Sequence, residues 1–367
     1  MTEAPRAVSP EMREALALAD DAVGVCEPNP RVGCVIVAAD GRVAGRGRTQ
    51  EAGAAHAEVM ALRDAAARGV DVRGATVHVT LEPCSHHGRT PPCADALVAA
   101  GVGRVVIALR DPNPLVSGRG ATRLAAAGIA VEWGGGGAES RELNIGFVAR
   151  MTRGTPWVRV KTATSVDGRT ALVNGASRWI TGAAARADGH RWRARACAIL
   201  TGVGTVLHDD PELTVRDVPT SRQPLRVIVD RHGDTPAAAR VLAGGNALVV
   251  TAGAPRAGAW PGDVETLALP DAGGRVDLAA LMRALAARGV NELHVEAGAK
   301  LNGALLEAGL VDEILHYVAP MVVGDAARGM FERAVPLETL GGNAALAWRA
   351  VDRVGADLRL ISRIVRT

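Results

Sequence analysis

The stretch His56-Ala57-Glu58, followed by Pro83-Cys84 and then by Cys93, decides how the first part of the chain is interpreted. It contains three residues whose side chains are good zinc ligands, and a carboxylate two positions from one of them. A tetrahedral zinc with only three protein ligands keeps its fourth position open for water, which is the catalytic rather than the structural arrangement. The pattern therefore predicts a zinc site on His56, Cys84 and Cys93, with Glu58 beside it.

The order of these residues is typical of zinc deaminases. In such sites zinc lowers the pKa of a water molecule towards about 7, and the glutamate moves protons without binding the metal. The second pair is usually Cys-x-x-Cys, but here a longer segment, Ser85-His86-His87-Gly88-Arg89-Thr90-Pro91-Pro92, separates the two cysteines. Two alternatives stay open. Isolated cysteines are commonly buried thiols, and His86 or His87 could complete a closed structural zinc site.

Local patterns place the motif on alternating strands and helices. A short apolar run closed by Asp40-Gly41 predicts a buried strand and a hairpin turn. Cys84 follows a strand at its carboxyl end, where open α/β sheets place ligands. Cys93 lies at the amino end of a helix, where the macrodipole favours a thiolate. The expected elements are strand 32–37, helix 56–67 with Gly69 as its stop signal, strand 77–81, helix 92–100 and strand 104–109.

A domain boundary is expected near residue 150. The first unit ends with a strand over 129–133, the run Gly134-Gly135-Gly136-Gly137 and a helix over 139–150. The glycine run is interpreted as a loop and not a phosphate cradle, because no strand-loop-helix pattern with a suitable lysine surrounds it. Gly154-Thr155-Pro156 then breaks the chain. We therefore expect one domain over 1–150 and a second over 151–367.

The second unit shows another α/β alternation but no Gly-x-Gly-x-x-Gly after a strand, so a standard Rossmann fold is not favoured. The sequence Leu293 to Gly303 predicts a strand, a glycine-bearing turn and a helix start. Such a turn can bind an anion through free N–H groups, although its glycine can also serve geometry alone. The expected strands are 157–161, 198–201, 225–229, 247–251, 292–296 and 314–318, and the expected helices are 183–194, 278–288 and 301–307.

Composition agrees with an ordinary enzyme of two domains. The 367 residues are 48% hydrophobic and only 2% aromatic, so both cores must rest on aliphatic side chains. The net charge of +3 does not select nucleic acid. The basic run Arg186 to Arg195 is open to three interpretations: a solvated helix face, a phosphate site, or an RNA-binding helix. No membrane span, signal peptide or disulfide-like cysteine framework is evident, which favours the cytoplasm.

The motifs together resemble the bifunctional riboflavin-biosynthesis deaminase/reductase family. The resemblance rests on Pro28-Asn29-Pro30-Arg31-Val32-Gly33, on His56-Ala57-Glu58, on Leu81 to Cys93 and on Asp111-Pro112-Asn113-Pro114. The long segment between the two cysteines distinguishes this family from cytidine and tRNA-adenosine deaminases. The likeness continues to Leu360. One departure is Thr49, where many members have histidine, which affects one substrate contact but not the zinc chemistry.

This resemblance implies an N-terminal cytidine-deaminase-like three-layer domain and a C-terminal dihydrofolate-reductase-like α/β domain that uses NADPH. It implies deamination of 2,5-diamino-6-ribosylamino-4(3H)-pyrimidinone 5′-phosphate, and then reduction of the ribosyl group to ribityl. The implied cofactor contacts are Ala163, Trp179, Thr205, Asp209, Gly298, Ala299, Lys300, Leu301, Asn302, Gly303 and Ala304. The implied substrate contacts are Asn29, Lys161, Ser177, Arg193, Leu213, Arg216 and Glu296.

Several of these assignments have a physical basis of their own. Arg193 and Arg216 could clamp a phosphate, since guanidinium groups suit phosphate oxygens. Trp179 could pack against a flat ring or anchor the core. Arg231, just after the strand Arg226 to Asp230, could pair with the 2′-phosphate of NADPH or remain a solvated loop residue. Asp230 is expected to point away, because successive strand residues face opposite sides.

Two other functions explain less of the chain. A deaminase acting on free cytidine or tRNA leaves the second domain idle, and a non-catalytic zinc scaffold has no need of Glu58. We therefore expect a pyrimidine ribosyl phosphate as substrate, one Zn²⁺ per chain, NADPH as cofactor, no nucleic acid or membrane partner, and a homo-oligomer in the cytoplasm.

Overall fold

The chain divides into two compact units, Met1–Gly154 and Thr155–Thr367. The computed structural model describes residues 6–88, 90–254, 258–324, 326–340 and 344–366. The sequence placed the division at residue 150, four residues earlier, whereas the last helix of the first unit continues to Arg153 and ends at Gly154, whose φ is 69°. Each unit is described by itself below.

The first unit is a five-stranded sheet with the strand order β2-β1-β3-β4-β5. The first strand runs antiparallel to both of its neighbours, and the last three strands are parallel. The strands are β1 (Gly33–Val37), β2 (Val43–Arg48), β3 (Thr76–Val79), β4 (Arg104–Ile107) and β5 (Ala130–Trp133). The helices are α1 (Pro10–Asp20), α2 (Ala57–Ala67), α3 (Cys93–Ala99), α4 (Arg119–Ala126), α5 (Gly137–Leu143) and α6 (Ile145–Arg153).

Helices cover both faces of this sheet, which gives the three layers that the family resemblance implies. Helices α2, α3 and α4 pack their aliphatic residues on one face, and α1 packs Met12 and Ala15 on the other. Helix α2 lies directly on the backbone of β2. A Cβ atom at Gly45 or Gly47 would come within 2.1 Å of a carbonyl oxygen of α2. These two glycines therefore allow the close approach that places the start of α2 at the end of the sheet.

The second unit is a nine-stranded sheet with the order β10-β9-β8-β7-β11-β6-β12-β14-β13, parallel except for its last two pairings. Helices α9 and α10 pack on one face, whereas α7 and α8 pack on the other. The strands are β6 (Trp157–Ser165), β7 (Ala198–Gly202), β8 (Leu225–Val229), β9 (Ala247–Thr251), β10 (Val264–Ala268), β11 (Glu292–Val295), β12 (Glu313–Ala319), β13 (Leu346–Val354) and β14 (Asp357–Ile364). The helices are α7 (Ala183–Arg195), α8 (Val203–Asp209), a short 3₁₀ helix (Arg240–Leu242), α9 (Leu278–Ala287) and α10 (Ala299–Glu307).

The predicted helix over 139–150 is wrong as a single element. Helix α5 ends at Leu143 and α6 begins at Ile145, with Asn144 between them at φ −106° and ψ 21°. The Asn144 side chain accepts a hydrogen bond from Arg31 N at 2.7 Å and donates one to Arg31 O at 2.9 Å. This buried amide is bonded to another segment and stands where the helix is interrupted. The glycine run also differs, because its last member, Gly137, already belongs to α5.

No helix among the described residues is both long and apolar enough to cross a membrane.

Candidate functional site

The three predicted zinc ligands come from three different elements of the first unit. His56 is the N-cap residue of α2, with an extended backbone at φ −78° and ψ 169°. Cys84 lies in the segment that follows β3, and Cys93 is the first residue of α3. The sequence places a residue at each of these element ends, and the sheet topology brings the ends together.

The ligand atoms of His56, Cys84 and Cys93 all lie within 4.8 Å of one another. His56 Nδ1 is 3.7 Å from Cys84 Sγ and 3.3 Å from Cys93 Sγ. One imidazole nitrogen and two sulfurs that converge in this way fit zinc, and they leave one tetrahedral position for water. Over the described ranges, no other cluster of metal-type donors converges like this. His86 and His87 are exposed and stand outside the cluster, so the closed structural site is not supported.

The protein environment shifts the pKa values of the two cysteines in opposite directions. Hydrogen bonds from the Cys93 thiol and from His56, together with the Cys93 backbone N–H at 3.3 Å, outweigh burial and lower the pKa of Cys84 to about 4. The Cys84 sulfur and burial raise the pKa of Cys93. A zinc ion requires both sulfurs as thiolates, so its binding would release the proton that Cys93 holds.

Glu58 lies one residue inside α2 and is buried, with 3% of its surface exposed. Burial, and after it the negative charge of Cys84, raise the pKa of Glu58 to about 7. A carboxyl group that titrates near neutrality can both accept and deliver a proton, which is the property that a general acid–base catalyst needs. Glu58 does not belong to the converging ligand set, which separates its role from that of the metal ligands.

A cavity of about 320 Å³ opens onto these residues. It contains the predicted substrate contact Asn29 and also Thr49, whose buried hydroxyl accepts a hydrogen bond from Val32 N at 3.2 Å. Several other residues of the cavity wall have no role predicted from the sequence. These are Glu82, Thr90, Asp111, Asn113, Phe147 and Arg150.

Asp111 is the most notable of these additional residues. It follows β4 and is buried, and burial raises its pKa to about 6, with the charges of Glu82 and Cys84 adding to the effect. Glu82 accepts backbone hydrogen bonds from Asp111, Gly118 and Ala121, which fixes the loop after β4. The signal that could have revealed Asp111 is the motif Asp111-Pro112-Asn113-Pro114, directly after a predicted strand.

In the second unit, Glu296 follows β11 and is held by an arginine fork. Arg193 Nε is 2.5 Å from Glu296 Oε1, and Arg193 Nη2 is 3.0 Å from Glu296 Oε2. Burial alone would raise the pKa of Glu296, but Arg193, His294 and Lys161 together hold it well below its ordinary value. Glu296 is therefore a fixed anion. Arg193 Nη1 donates to Thr214 O at 2.9 Å, so this arginine is turned inwards and is not part of a solvated helix face.

Lys161 extends from β6 towards the same carboxylate. Burial lowers the pKa of the Lys161 ammonium, Glu296 opposes that shift, and Arg193 adds to it. The ammonium lies 6.0 Å from the ring centre of Tyr317, whose hydroxyl donates to Asp188 at 2.6 Å. Ala163, the next residue on the same side of β6, pairs with Tyr317 in the sheet. The structure thus groups Lys161, Arg193 and Glu296 at one end of the sheet.

The predicted cofactor turn separates into two parts. Gly298 and Lys300 are exposed, and Ala299, Leu301 and Ala304 are partly exposed. By contrast, Asn302 and Gly303 are buried. The Asn302 amide donates to Ala297 O at 3.2 Å and to Met330 O at 3.1 Å, and a Cβ atom at Gly303 would lie 1.8 Å from Glu332 O. These two residues therefore hold the turn against a neighbouring segment, and the first part faces outwards.

Of two other predicted cofactor contacts, Thr205 of α8 lies next to this turn, and Asp209 lies at the far end of α8. A Cβ atom at Gly298 would lie 4.0 Å from Thr205 Oγ1 in α8, and one at Gly202 would lie 3.3 Å from Leu301. Asp209, at the end of α8, accepts a hydrogen bond through its carbonyl oxygen from Arg178 at 3.0 Å. That bond ties the loop containing Ser177 and Trp179 to α8.

Trp179 is 68% exposed, so its interpretation as a core anchor is wrong. The Arg186 guanidinium lies 4.5 Å from its ring centre. A large exposed aromatic ring held by a cation offers a stacking surface for a flat ligand ring.

Arg193 and Arg216 meet around Thr214, but each is already paired with a glutamate. Arg216 bonds Glu212 and lies 2.9 Å from Thr214 Oγ1. A phosphate would therefore have to compete with these carboxylates or bind beside them. Leu213 has a left-handed backbone at φ 50° and a buried side chain, so only its backbone can face a ligand.

Arg231 is exposed after β8, as both of its interpretations require. The neighbouring Asp230 is fully buried and accepts backbone hydrogen bonds from residues 233, 234 and 235 at 2.8 to 3.0 Å. Its carboxylate is occupied within the turn and does not stand beside Arg231 in solvent.

Two family models match the chain. Residues 8–109 match the cytidine and deoxycytidylate deaminase zinc-binding region, which includes all three ligands and Glu58. Residues 156–357 match the RibD C-terminal domain. The expected pairing of a cytidine-deaminase-like domain with a reductase domain of α/β architecture is thereby confirmed.

Curated relatives and solved structures show likeness along nearly the whole chain. The riboflavin biosynthesis protein RibD of Escherichia coli is 45% identical over 362 residues, which cover 95% of this chain and 97% of that protein. The RibD of Haemophilus influenzae is 41% identical over 364 residues, covering 95% of each.

A solved structure of Acinetobacter baumannii RibD matches with a TM-score of 0.89 at 41% identity, covering 97% of this chain and 98% of that chain. The diaminohydroxyphosphoribosylaminopyrimidine deaminase/5-amino-6-(5-phosphoribosylamino)uracil reductase of Thermotoga maritima matches with a TM-score of 0.87 at 34% identity, with the same coverage. Because the likeness extends across both units and is not confined to one of them, the chain belongs to the RibD family of riboflavin-biosynthesis enzymes, which join a zinc-dependent deaminase to an NADPH-dependent reductase.

Proposed function

We propose that the first unit deaminates 2,5-diamino-6-ribosylamino-4(3H)-pyrimidinone 5′-phosphate, and that the second unit reduces the product to 5-amino-6-ribitylamino-uracil 5′-phosphate. The observation that carries the first step is the convergence of His56, Cys84 and Cys93 beside a buried Glu58. The grouping of Lys161 from β6 and Arg193 from α7 around Glu296, just past the carboxyl end of β11, supports the second.

Deamination needs a group that moves a proton from water to the leaving amine. Zinc, when bound by the three ligands, supplies a Lewis acid that lowers the pKa of a water molecule. Glu58 accepts the proton of the attacking water, delivers it to the ring nitrogen and then assists the departure of ammonia. Asn29 orients the base from the cavity wall, and the side chain of Thr49 remains bonded to the backbone of Val32.

Reduction needs a cofactor and a sugar held in a fixed relation. NADPH, when bound, supplies the hydride. Among the residues proposed to contact it, Trp179 offers a stacking surface, and Thr205 and Gly298 to Leu301 lie at the turn. The other proposed contacts are Ala304 on α10, Asp209 at the end of α8 and Ala163 on β6. Asn302 and Gly303 shape the turn from behind. Lys161, Ser177, the backbone of Leu213 and Glu296 orient the ribosyl phosphate, with Arg193 and Arg216 near its phosphate.

A substrate panel tests this assignment. The purified zinc-loaded chain would be offered the pyrimidinone ribosyl phosphate, cytidine and a tRNA, and ammonia release would be followed for each. We expect release from the pyrimidinone ribosyl phosphate alone. Release from cytidine or tRNA at a comparable kcat/KM would instead favour a deaminase that acts on free cytidine or on tRNA.

We propose that the deaminase occupies the residues up to the boundary at 154 and the reductase the residues after it. Each unit has a hydrophobic core of its own, and a unit with its own core can fold as a separate domain. Separate polypeptides of residues 1–154 and 155–367 are expected to fold, the first with zinc and the second with affinity for NADPH. Circular dichroism, metal analysis and cofactor titration check this, and insolubility of both pieces when expressed apart would argue against it.

We propose that Arg231 contributes to the preference for NADPH. Its side chain is exposed after β8, and the adjacent Asp230 is buried in its own turn and would not repel a phosphate. Arg231→Ala is expected to weaken NADPH binding by about 1.5–3 kcal/mol, the scale of a charged hydrogen bond, and to leave NADH binding nearly unchanged. Titration of both cofactors into both proteins measures this. An unaltered preference would remove Arg231 from the cofactor site.

We also propose that the chain forms a homo-oligomer and works in the cytoplasm. Strand β13 exposes Leu346, Trp348 and Val351, which a second copy could cover, and sedimentation velocity would detect the assembly. All five cysteines are free, as a reducing compartment requires, and fractionation of cells would locate the protein.

A further inference from the structure

We propose that His294 is a positioning residue of the reductase, which donates its Nε2–H to Oε1 of Glu296 and, together with Arg193, fixes the orientation of that carboxylate. The proposal rests on the proposed role of Glu296 as a substrate contact. His294 is not among the substrate or cofactor contacts that the family resemblance implies.

The geometry of β11 places His294 directly beneath Glu296. Successive strand residues point to opposite faces. Leu293 and Val295 enter the aliphatic core on one face, so His294 and Glu296 share the other. His294 is fully buried, and its Nε2 lies 3.4 Å from Glu296 Oε1. Within the described residues, neither ring nitrogen of His294 has a hydrogen-bond partner of good geometry. We therefore assign the Glu296 carboxylate as the acceptor of the His294 Nε2–H.

Burial lowers the pKa of His294 and so favours the neutral form of its ring. Glu296 opposes that shift, and the guanidinium groups of Arg159 and Arg193 lower the pKa further. Arg159 is itself neutralised by buried ion pairs with Glu292 at 3.0 Å and with Glu313 at 2.5 Å. A neutral imidazole carries a single N–H, and Glu296 Oε1 is the acceptor within reach of Nε2.

This arrangement makes the two oxygens of Glu296 unequal. Oε1 receives Arg193 Nε at 2.5 Å and faces His294, whereas the one hydrogen bond that Oε2 receives from the described residues comes from Arg193 Nη2 at 3.0 Å. A carboxylate oxygen can accept more than one hydrogen bond, so Oε2 keeps the more available lone pair. We infer that Oε2 is the oxygen presented to a hydroxyl group of the ribosyl substrate, and that His294 prevents the carboxylate from rotating away.

Three substitutions in the full chain separate positioning from a structural role. His294→Leu removes the donor, but it also removes the cost of burying two nitrogens without well-made hydrogen bonds, so no large fall in melting temperature is expected. His294→Gln retains an N–H that can reach the carboxylate. Ile199→Val is the matched control, because Ile199 is the buried residue paired with His294 on the neighbouring strand and its aliphatic side chain has no hydrogen-bonding group.

The readout is NADPH oxidation with the deaminated ribosylamino-uracil phosphate as substrate. We expect His294→Leu to lower kcat/KM for that substrate about tenfold, as the loss of a hydrogen bond to a charged group implies, with KM for NADPH unchanged. His294→Gln should recover most of the loss, and Ile199→Val should behave as the unaltered chain.

Glu296→Gln separates the proposed role of Glu296 from the positioning role of His294. If Glu296→Gln is fully active, the proposed role of Glu296 itself is wrong. If Glu296→Gln is impaired while a well-folded His294→Leu retains full kcat/KM, the positioning role of His294 is wrong. A loss in His294→Leu that follows a fall in melting temperature, or that Ile199→Val reproduces, would also overturn it, because it would indicate a structural effect alone.

Discussion

Glu58→Gln is expected to lower deamination by about 10²–10⁴-fold, the range for loss of a general acid–base group. Glutamine has nearly the same shape but cannot accept and return a proton. Zinc should stay bound, because Glu58 stands outside the three converging ligands. Reduction of the already deaminated intermediate should be unchanged, since its site belongs to the other unit. Ammonia release, metal analysis and NADPH oxidation on the same preparation measure the three quantities.

The matched control for this change is Glu51→Gln, which removes the same charge from an exposed position of the same unit. It should leave both activities intact. A parallel loss of both activities in Glu58→Gln would contradict the account, because it would indicate that this buried carboxyl group serves folding and not proton transfer.

Cys93→Ser is expected to abolish stable zinc binding and, with it, deamination. A serine hydroxyl is a much poorer ligand than a thiolate, and two remaining ligands cannot hold the tetrahedral site. Because metal binding is coupled to folding, the first unit should also lose thermal stability, as should the unaltered chain after treatment with a chelator. Metal analysis after dialysis and thermal unfolding check both expectations. Cys84→Ser should behave in the same way.

Two cysteines outside the site provide the controls. Cys26 is bonded to the carbonyl oxygens of Asn29 and Pro30, and Cys197 accepts a hydrogen bond from Asn291 N. Cys26→Ser and Cys197→Ser should therefore both retain zinc. Full zinc occupancy in Cys93→Ser would mean that the ligand assignment is wrong.

The sequence predicted the zinc site because its residues lie at the ends of locally encoded elements. The strong helix formers after His56 define the start of α2, and Pro92 stands directly before the helix that Cys93 begins. The order of ligand types then implies their convergence. The strands of the second unit that the sequence identified are the buried ones, because their continuous apolar runs are a local signal.

What the sequence did not predict depends on contacts between distant segments. The break at Asn144 follows hydrogen bonds to Arg31, and nothing in the neighbourhood of Asn144 encodes that partner. Phe147 and Arg150 reach the cavity only because α6 packs there. Strand β13 is exposed along most of its length, so it lacks the apolar alternation by which a strand is recognised.

In the reductase site, too, local features could be predicted from the sequence and contacts between distant segments could not. The glycine turn after β11 and the basic composition of α7 were visible in the sequence. The pairing of Arg193 with Glu296, which converts an expected phosphate ligand into a partner of a carboxylate, required the packing of α7 against the sheet. The burial of His294 beneath Glu296 likewise follows from the register of β11 with its neighbours.

Mass spectrometry of the products formed from 2,5-diamino-6-ribosylamino-4(3H)-pyrimidinone 5′-phosphate shows directly whether the chain performs both proposed reactions in the proposed order. Without NADPH, the zinc-loaded chain should convert the substrate into the species in which one amino group is replaced by oxygen, and the reaction should stop there. With NADPH, the deaminated species should be replaced by a product that contains two more hydrogens. No change of mass in either reaction would contradict the proposed function. Reduction of the diamino compound before it loses its amino group would contradict the proposed order of the two steps.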